Sequence, residues 1–138
     1  MKKTLLILIF GLLVNVSFSQ EVKSVYRFKK VKQQTFKNSE ITWVDRKLDS
    51  LVLYKNAEFY RRTSYAQFDN FGFEEQKGQW KIDNGILYLS ITAKRDNLTE
   101  KDWTKYTGKF KYSIKGKKLI PVNDSFEIYA KETLKLFE

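Results

Sequence analysis

Hydrophobic and polar residues alternate with a period of two along most of the chain. The even positions from Tyr106 to Ile114 are aromatic or aliphatic apart from Gly108, and the odd positions are Thr, Lys, Lys and Ser. Successive side chains of a β-strand point to opposite faces, so this pattern predicts strands with one buried face.

Similar patterns predict further strands on both sides of this stretch. We expect them around Tyr26–Phe28 and over 41–44, 49–54, 58–68, 78–82, 86–91, 106–114, 119–122 and 126–131. Asn84-Gly85 is a strong hairpin signal, because Asn-Gly readily takes positive φ. The polar connection after Arg95 leaves room for a short helical turn near 99–103. Residues 132–138 either extend the last strand or form one or two helical turns.

The spacing of these strands indicates the fold class. Strands that recur every eight to twelve residues and are joined by tight turns are typical of an antiparallel barrel or sandwich. A parallel α/β fold would need helical crossovers, and the pattern contains none. We therefore predict an all-β fold, a single small antiparallel β-barrel of about eight strands.

The first twenty residues follow a different pattern. Lys2 and Lys3 precede the apolar run Leu5–Val14, and Ser17 and Ser19 place small residues at the −3 and −1 positions of a cleavage site. This is the layout of a secretory signal peptide. The run is about half as long as a helix that spans a bilayer, which makes an uncleaved anchor the weaker alternative. The sequence predicts a signal peptide over 1–19, a mature domain over 20–138, and export to the periplasm or out of the cell.

The amino-acid composition excludes several kinds of catalytic and binding site. The chain of 138 residues has no His and no Cys, which excludes Ser-His-Asp and Cys-His catalysis, thiolate sites, disulfides and lipoprotein acylation. Carboxylate pairs are the remaining route to hydrolysis. Asp45 and Asp49 look like turn and cap groups, and the adjacent Glu74 and Glu75 point to opposite faces of a strand. We expect no enzymatic activity, no cofactor and no metal site.

One part of the chain has a recognisable layout. Within Leu51–Leu89, an apolar strand and an aromatic strand precede Gly78-x-Trp80 and then Asn84-Gly85. This resembles small lipocalin-like barrels of Gram-negative envelopes, including the N-terminal domain of the copper-resistance lipoprotein NlpE. The resemblance implies a lipocalin-like barrel in the bacterial envelope. The NlpE-type domain is lipidated and carries a Cys-x-x-Cys pair, so neither its lipid anchor nor its thiol chemistry carries over to a chain without Cys.

Aromatic residues crowd the region 59–73, beside two adjacent arginines. Arg61 shares the parity of Phe59 and Tyr65, so an inward face would place its charge inside the barrel, where it could hold the acidic head group of a ligand. The alternative is a salt bridge to Glu74 or Glu75, or exposure by strand twist. The candidate residues for a small apolar or amphipathic ligand are Phe59, Arg61, Tyr65, Phe71, Phe73 and Trp80.

Lysines form a second candidate surface. The closing hairpin carries Lys109, Lys111, Lys115, Lys117 and Lys118, and a further basic cluster lies near the mature N-terminus, at Arg27, Lys29, Lys30, Lys32 and Lys37. Such a face could bind an anionic lipid or glycan. The alternative is a solubilising face that discourages aggregation. Alternation sends aromatics inward and lysines outward, so we expect no nucleic-acid binding, which would need both on one surface.

The sequence thus predicts an exported, non-catalytic binding module for a small apolar or amphipathic ligand, with no transmembrane helix in its mature chain. The alternative is a structural or protein-interaction accessory with a packed core and no ligand. The barrel interior discriminates between them, because a barrel of about eight strands has room either for side chains or for one small ligand.

Overall fold

A computed structural model describes residues 20–35, 38, 42–67, 70–122 and 132–137. Over these ranges the chain is all-β, and its strands close into an antiparallel barrel in sequence order. The strands are β1 (Val22–Thr35), β2 (Thr42–Tyr54), β3 (Glu58–Gln67), β4 (Asn70–Asp83), β5 (Ile86–Asp96), β6 (Thr104–Lys115), β7 (Lys118–Pro121) and β8 (Leu134–Leu136). The predicted all-β barrel is confirmed. The predicted signal peptide, 1–19, and the predicted strand 126–131 lie outside the described residues.

Several strands are longer than predicted. The predicted strands 41–44 and 49–54 belong to one strand, β2, which begins at Thr42. Asp45 and Asp49 therefore lie within a strand and are not turn or cap groups. The predicted strand 78–82 is the end of β4, which begins at Asn70. The predicted hairpin turn is confirmed, because Asn84 and Gly85 both have positive φ, 48° and 75°.

The helical turn predicted near 99–103 is not formed. The Asp96 carboxylate accepts hydrogen bonds from the backbone N–H groups of Thr99, Leu98 and Glu100, at 2.6, 2.7 and 3.2 Å. These hydrogen bonds hold the pKa of Asp96 well below its usual range, and the bond from Thr99 has the largest effect. The loop after Asp96 is held by this carboxylate and forms no helical turn.

One half of the barrel interior is a packed hydrophobic core. Its buried side chains are Leu51, Leu53, Phe59, Leu87, Leu89, Ile91, Phe110, Tyr112, Leu119 and Leu134. Burial raises the pKa of Tyr112 to about 12. Phe110 and Tyr112 face inward while Lys109 is exposed, as the alternation predicts. Trp80 packs against the core, and its Nε1 donates a hydrogen bond to the carbonyl oxygen of Tyr54 at 3.0 Å.

Gly78 allows two strands to approach closely beside Trp80. A Cβ atom at this position would lie 1.9 Å from the carbonyl oxygen of Ser90 and 2.9 Å from the Cα of Ile91. The register between β4 and β5 shifts between Lys77 and Gly78. A side chain therefore has no room here without movement of the β5 backbone.

The two ends of the barrel differ. The turns at 55–57, 84–85 and 116–117 close the end that contains the core. The opposite end, called the mouth below, is bounded by the last residues of β1, β3 and β5 and the first residues of β2, β4 and β6.

Candidate functional site

A buried ion pair marks the point at which the core ends. Arg61 points inward from β3, and its Nε and Nη2 donate to Oδ1 and Oδ2 of Asp49 at 2.9 and 2.5 Å. Both residues are 2% exposed. Burial alone would lower the pKa of Arg61, but its interactions with Tyr112 and with the Asp49 carboxylate outweigh that effect and raise it. Arg61 is therefore inside the barrel and forms a bidentate ion pair with Asp49, while the carboxylate of Glu74 also helps to raise its pKa.

Beyond this ion pair the inner face becomes polar. The register places Thr63 opposite Glu74 and Arg61 opposite Gln76. The Nε2 of Gln76 donates to Oε1 of Glu74 at 2.6 Å. On the opposite wall, the Nζ of Lys94 lies 4.4 Å from the centroid of the Tyr106 ring. The mouth is thus lined by hydrogen-bonding groups rather than by a continuation of the core.

A first cavity of about 310 Å³, called the basic cavity below, lies on the β1–β2–β3 side of the mouth. Its lining residues are Lys30, Lys32, Asp45, Arg46, Lys47, Tyr65, Ala66 and Gln67. Lys30 lies directly opposite Lys47 in the β1–β2 ladder. The Nζ of Lys47 also forms an ion pair with Oε1 of Glu132 at 3.3 Å.

A second cavity of about 140 Å³, called the Leu98 cavity below, lies on the other side of Tyr65. It is lined by Thr63, Tyr65, Phe73, Glu74, Asp96, Leu98 and Thr99. Leu98 is 66% exposed. The Tyr65 side chain lines both cavities and therefore forms the wall between them.

The structure does not bring the six predicted ligand residues together. Phe59 lies in the core, and Trp80 packs against it. Phe71 and Phe73 have the parity of Glu75, on the outer face of β4, and their ring centroids are 6.3 Å apart. Tyr65 and Phe73 share the Leu98 cavity at the rim.

The lysines of the closing hairpin lie apart from the mouth cavities. Lys109, Lys115, Lys117 and Lys118 are exposed, and Lys111 is half-buried with its Nζ 5.8 Å from the ring centroid of Tyr88. None of these lysines lines the basic cavity or the Leu98 cavity.

Sequence reasoning placed Lys30 and Lys32 in an N-terminal cluster and did not connect either with Lys47. The signal was present, because Lys30 and Lys32 share the parity of Tyr26 and Phe28, which pack against the core. Lys47 likewise shares the parity of the buried residues of β2. What was missing was the register between β1 and β2, which the alternation pattern does not give.

The outer face of the β3–β4–β5 sheet carries a separate network around Glu75, a carboxylate that is 3% exposed. The hydroxyl of Tyr60 donates to its Oε1 at 2.6 Å, and the Nε of Arg95 donates to its Oε2. The Nη1 of Arg62 lies 3.5 Å from Oε1. The Trp103 ring covers this network, with its centroid 4.9 Å from the Cζ of Arg95.

This network shifts the pKa values of three of its groups, and the hydrogen bond to Glu75 raises that of Arg95. Burial by itself would raise the pKa of Glu75, but the hydrogen bonds from Arg95 and Tyr60 outweigh it and lower that pKa. Burial and the bond to Glu75 raise the pKa of Tyr60 to about 12. The carboxylate of Glu75 is therefore the stable form in the folded chain at neutral pH.

Replacing Glu75 by glutamine is expected to lower the free energy of unfolding at neutral pH by about 1–3 kcal/mol, since hydrogen bonds to a charged group are lost. The pKa of Glu75 is lower in the folded than in the unfolded chain. The stabilisation is therefore complete above the unfolded pKa and is lost as the pH falls through the folded pKa. Urea unfolding at a series of pH values should show that wild type and Glu75→Gln converge in acid. Asp83→Asn, at an exposed turn, controls for the loss of one negative charge, and a difference independent of pH would contradict the expectation.

Comparison with known proteins identifies no relative of this chain. No family model, no curated protein and no solved structure matches the chain. The described residues contain no group of three or more acidic side chains that could hold a metal ion. No helix that could cross a membrane is found in the same part of the chain. The function is therefore to be inferred from the geometry of the mouth.

Proposed function

We propose that the chain is an exported, non-catalytic binding module that holds a small amphipathic ligand at the mouth of its barrel. The observation that carries this proposal is the position at which the core ends. The hydrophobic interior stops at the Asp49–Arg61 pair, and beyond it the basic cavity and the Leu98 cavity lie on either side of Tyr65. Concave sites with a few polar groups and an aromatic wall are the usual form of small-ligand sites.

The mouth is a better site than the deep interior. Phe59, Phe110 and Tyr112 fill the core end together with the aliphatic side chains, and each of them is at most 1% exposed. A wholly apolar ligand would need that space. An amphipathic ligand can place its polar group in the basic cavity and its apolar part against Tyr65 and Leu98.

The proposed compartment rests on the sequence. The first nineteen residues have the layout of a signal peptide, and the lipocalin-like resemblance favours a bacterial envelope. Cleavage there lowers the formal net charge from +10 to +8, because that segment holds two lysines and no acid. The mature chain would then carry its basic mouth and its lysine face outside the cytoplasm.

A second candidate function is a structural or protein-interaction accessory without a ligand. The packed core favours it, since such a core stabilises the barrel with no help from a bound molecule. In that case the mouth cavities hold only solvent.

Native mass spectrometry of the mature protein, recovered from its own host without denaturation, tests the proposal. We expect a reproducible additional mass that is lost in Tyr65→Ala, because Tyr65 lines both cavities. Phe71→Ala is the matched control, since Phe71 is 55% exposed and lies on the outer face of β4. A bare protein mass in the wild type, or equal retention in both variants, would favour the accessory function instead.

A further inference from the structure

Two lysines face each other on the inner side of the β1–β2 ladder, at the basic cavity. Lys30 and Lys47 are direct partners in the antiparallel register, and both line the cavity. Side chains at such positions start about 5 Å apart, and like charges there are destabilising. Glu132 pairs with Lys47 but forms no ion pair with Lys30 among the described residues. We therefore expect the two ammonium groups to favour an anion bound between them.

The side chains around the basic cavity carry more positive than negative charge. Four cations line it, namely Lys30, Lys32, Arg46 and Lys47. The carboxylates beside them are those of Asp45, in the lining, and Glu132. Two positive charges are left in excess. A concave surface that carries charges of one sign attracts an anion more strongly than a flat surface does.

Two acids, Glu74 and Asp96, line the Leu98 cavity on the other side of Tyr65, so we expect an anionic head group in the basic cavity and not beyond Tyr65. The carboxylate of Asp96 accepts hydrogen bonds from the loop backbone and from the hydroxyl of Thr99 at 2.7 Å. The Oε1 of Glu74 accepts a hydrogen bond from Gln76. Leu98 and Tyr65 provide apolar contact in the same cavity.

We propose that the ligand of the mouth is an anionic amphiphile, whose carboxylate or phosphate head group lies between Lys30 and Lys47. Its apolar chain passes Tyr65 and contacts Leu98. This inference rests on the proposed function, to which it adds the charge and orientation of the ligand. The head group relieves the repulsion between the two lysines, so binding and local stabilisation are linked.

Isothermal titration with four dodecyl amphiphiles below their micelle concentrations tests the inference on the mature protein. The head groups are a carboxylate, a phosphate, a neutral maltoside and a trimethylammonium. We expect the two anionic ligands to bind at least about tenfold more tightly than the neutral one, and the cationic ligand to bind least. Raising the salt concentration from about 10 to about 150 mM should weaken anion binding alone. The ratio of the carboxylate to the phosphate affinity then distinguishes the two head groups.

Lys30→Gln and Lys47→Gln should each lower the affinity for the anionic ligands by about tenfold and leave the maltoside affinity unchanged. The double variant Lys109→Gln, Lys115→Gln is the matched control, because it removes two exposed lysines far from the mouth. Urea unfolding of each variant verifies that it is folded. Lys30→Gln should not destabilise the chain, whereas Lys47→Gln also removes the ion pair with Glu132 and is expected to cost up to about 1 kcal/mol.

The outcomes separate the two proposals. Equal affinities for the anionic and neutral ligands, with Tyr65→Ala still abolishing both, would overturn the anionic head group and leave the binding function intact. Equal losses in the mouth and control variants would overturn the lysine pair as the anion site. If none of the four amphiphiles bound, the proposed function and this inference would both be contradicted.

Discussion

Replacing Arg61 by methionine is expected to remove about 3–5 kcal/mol from the free energy of unfolding. The variant leaves the Asp49 carboxylate buried inside the barrel without its bidentate partner. A buried charge without compensation is among the most destabilising changes that a single substitution produces. The barrel would then unfold at a much lower urea concentration than the wild type.

A double-mutant cycle distinguishes the pair from simple loss of packing. Asp49→Leu with Arg61→Met removes both charges, and we expect this double variant to recover most of the lost stability or to exceed the wild type. Arg62→Met is the neighbouring control, because its side chain is 46% exposed and exposed ion pairs contribute at most about 1 kcal/mol. A small cost for Arg61→Met alone, or a double variant as unstable as the single one, would contradict this account of the interior.

Gly78→Ala is expected to destabilise the barrel by several kcal/mol or to prevent folding. The added Cβ would meet the carbonyl oxygen of Ser90 at 1.9 Å, and this is backbone within a paired strand. Relief requires β5 to move, which breaks register and packing in the core.

Gly72→Ala is the matched comparison on the same strand. Its Cβ would lie 2.3 Å from the end of the Tyr65 ring, and that exposed side chain can rotate away. We expect an unfolding free energy within about 1 kcal/mol of the wild type, together with weaker ligand binding because the Tyr65 wall is displaced. Urea unfolding compares the two glycines, and comparable losses of stability would show that close approach at Gly78 is not the cause.

Much of the fold can be predicted from the alternation of apolar and polar residues along single strands. It gives β6 with Phe110 and Tyr112 inward, and the Asn84-Gly85 turn fixes the hairpin between β4 and β5. Both features depend on interactions over a few residues. The full length of β2 was not predicted, because polar residues interrupt its series of apolar side chains. The alternation between inward and outward positions nevertheless continues through them.

The candidate site was predicted only in part. Odd-numbered residues can face inward in one strand and outward in the next, and the sequence of the connection does not tell which. Phe59 is inward at an odd position of β3, whereas Phe71 is outward at an odd position of β4. The partner of Arg61 is twelve residues away in the sequence, and nothing but the β2–β3 register brings the two side chains together. The Lys30–Lys47 pair depends on the β1–β2 register in the same way.

The division of the interior at the Asp49–Arg61 pair has a consequence for the evolution of the sequence. Positions beneath that pair determine whether the chain folds, whereas positions such as Lys30, Tyr65 and Leu98 contribute little to the core. Substitutions at the rim can therefore accumulate with small stability costs, because functional sites borne on a stable scaffold tolerate change. A lineage with this barrel can acquire a new specificity by exchanging rim side chains, while the residues that hold the barrel together stay under purifying selection.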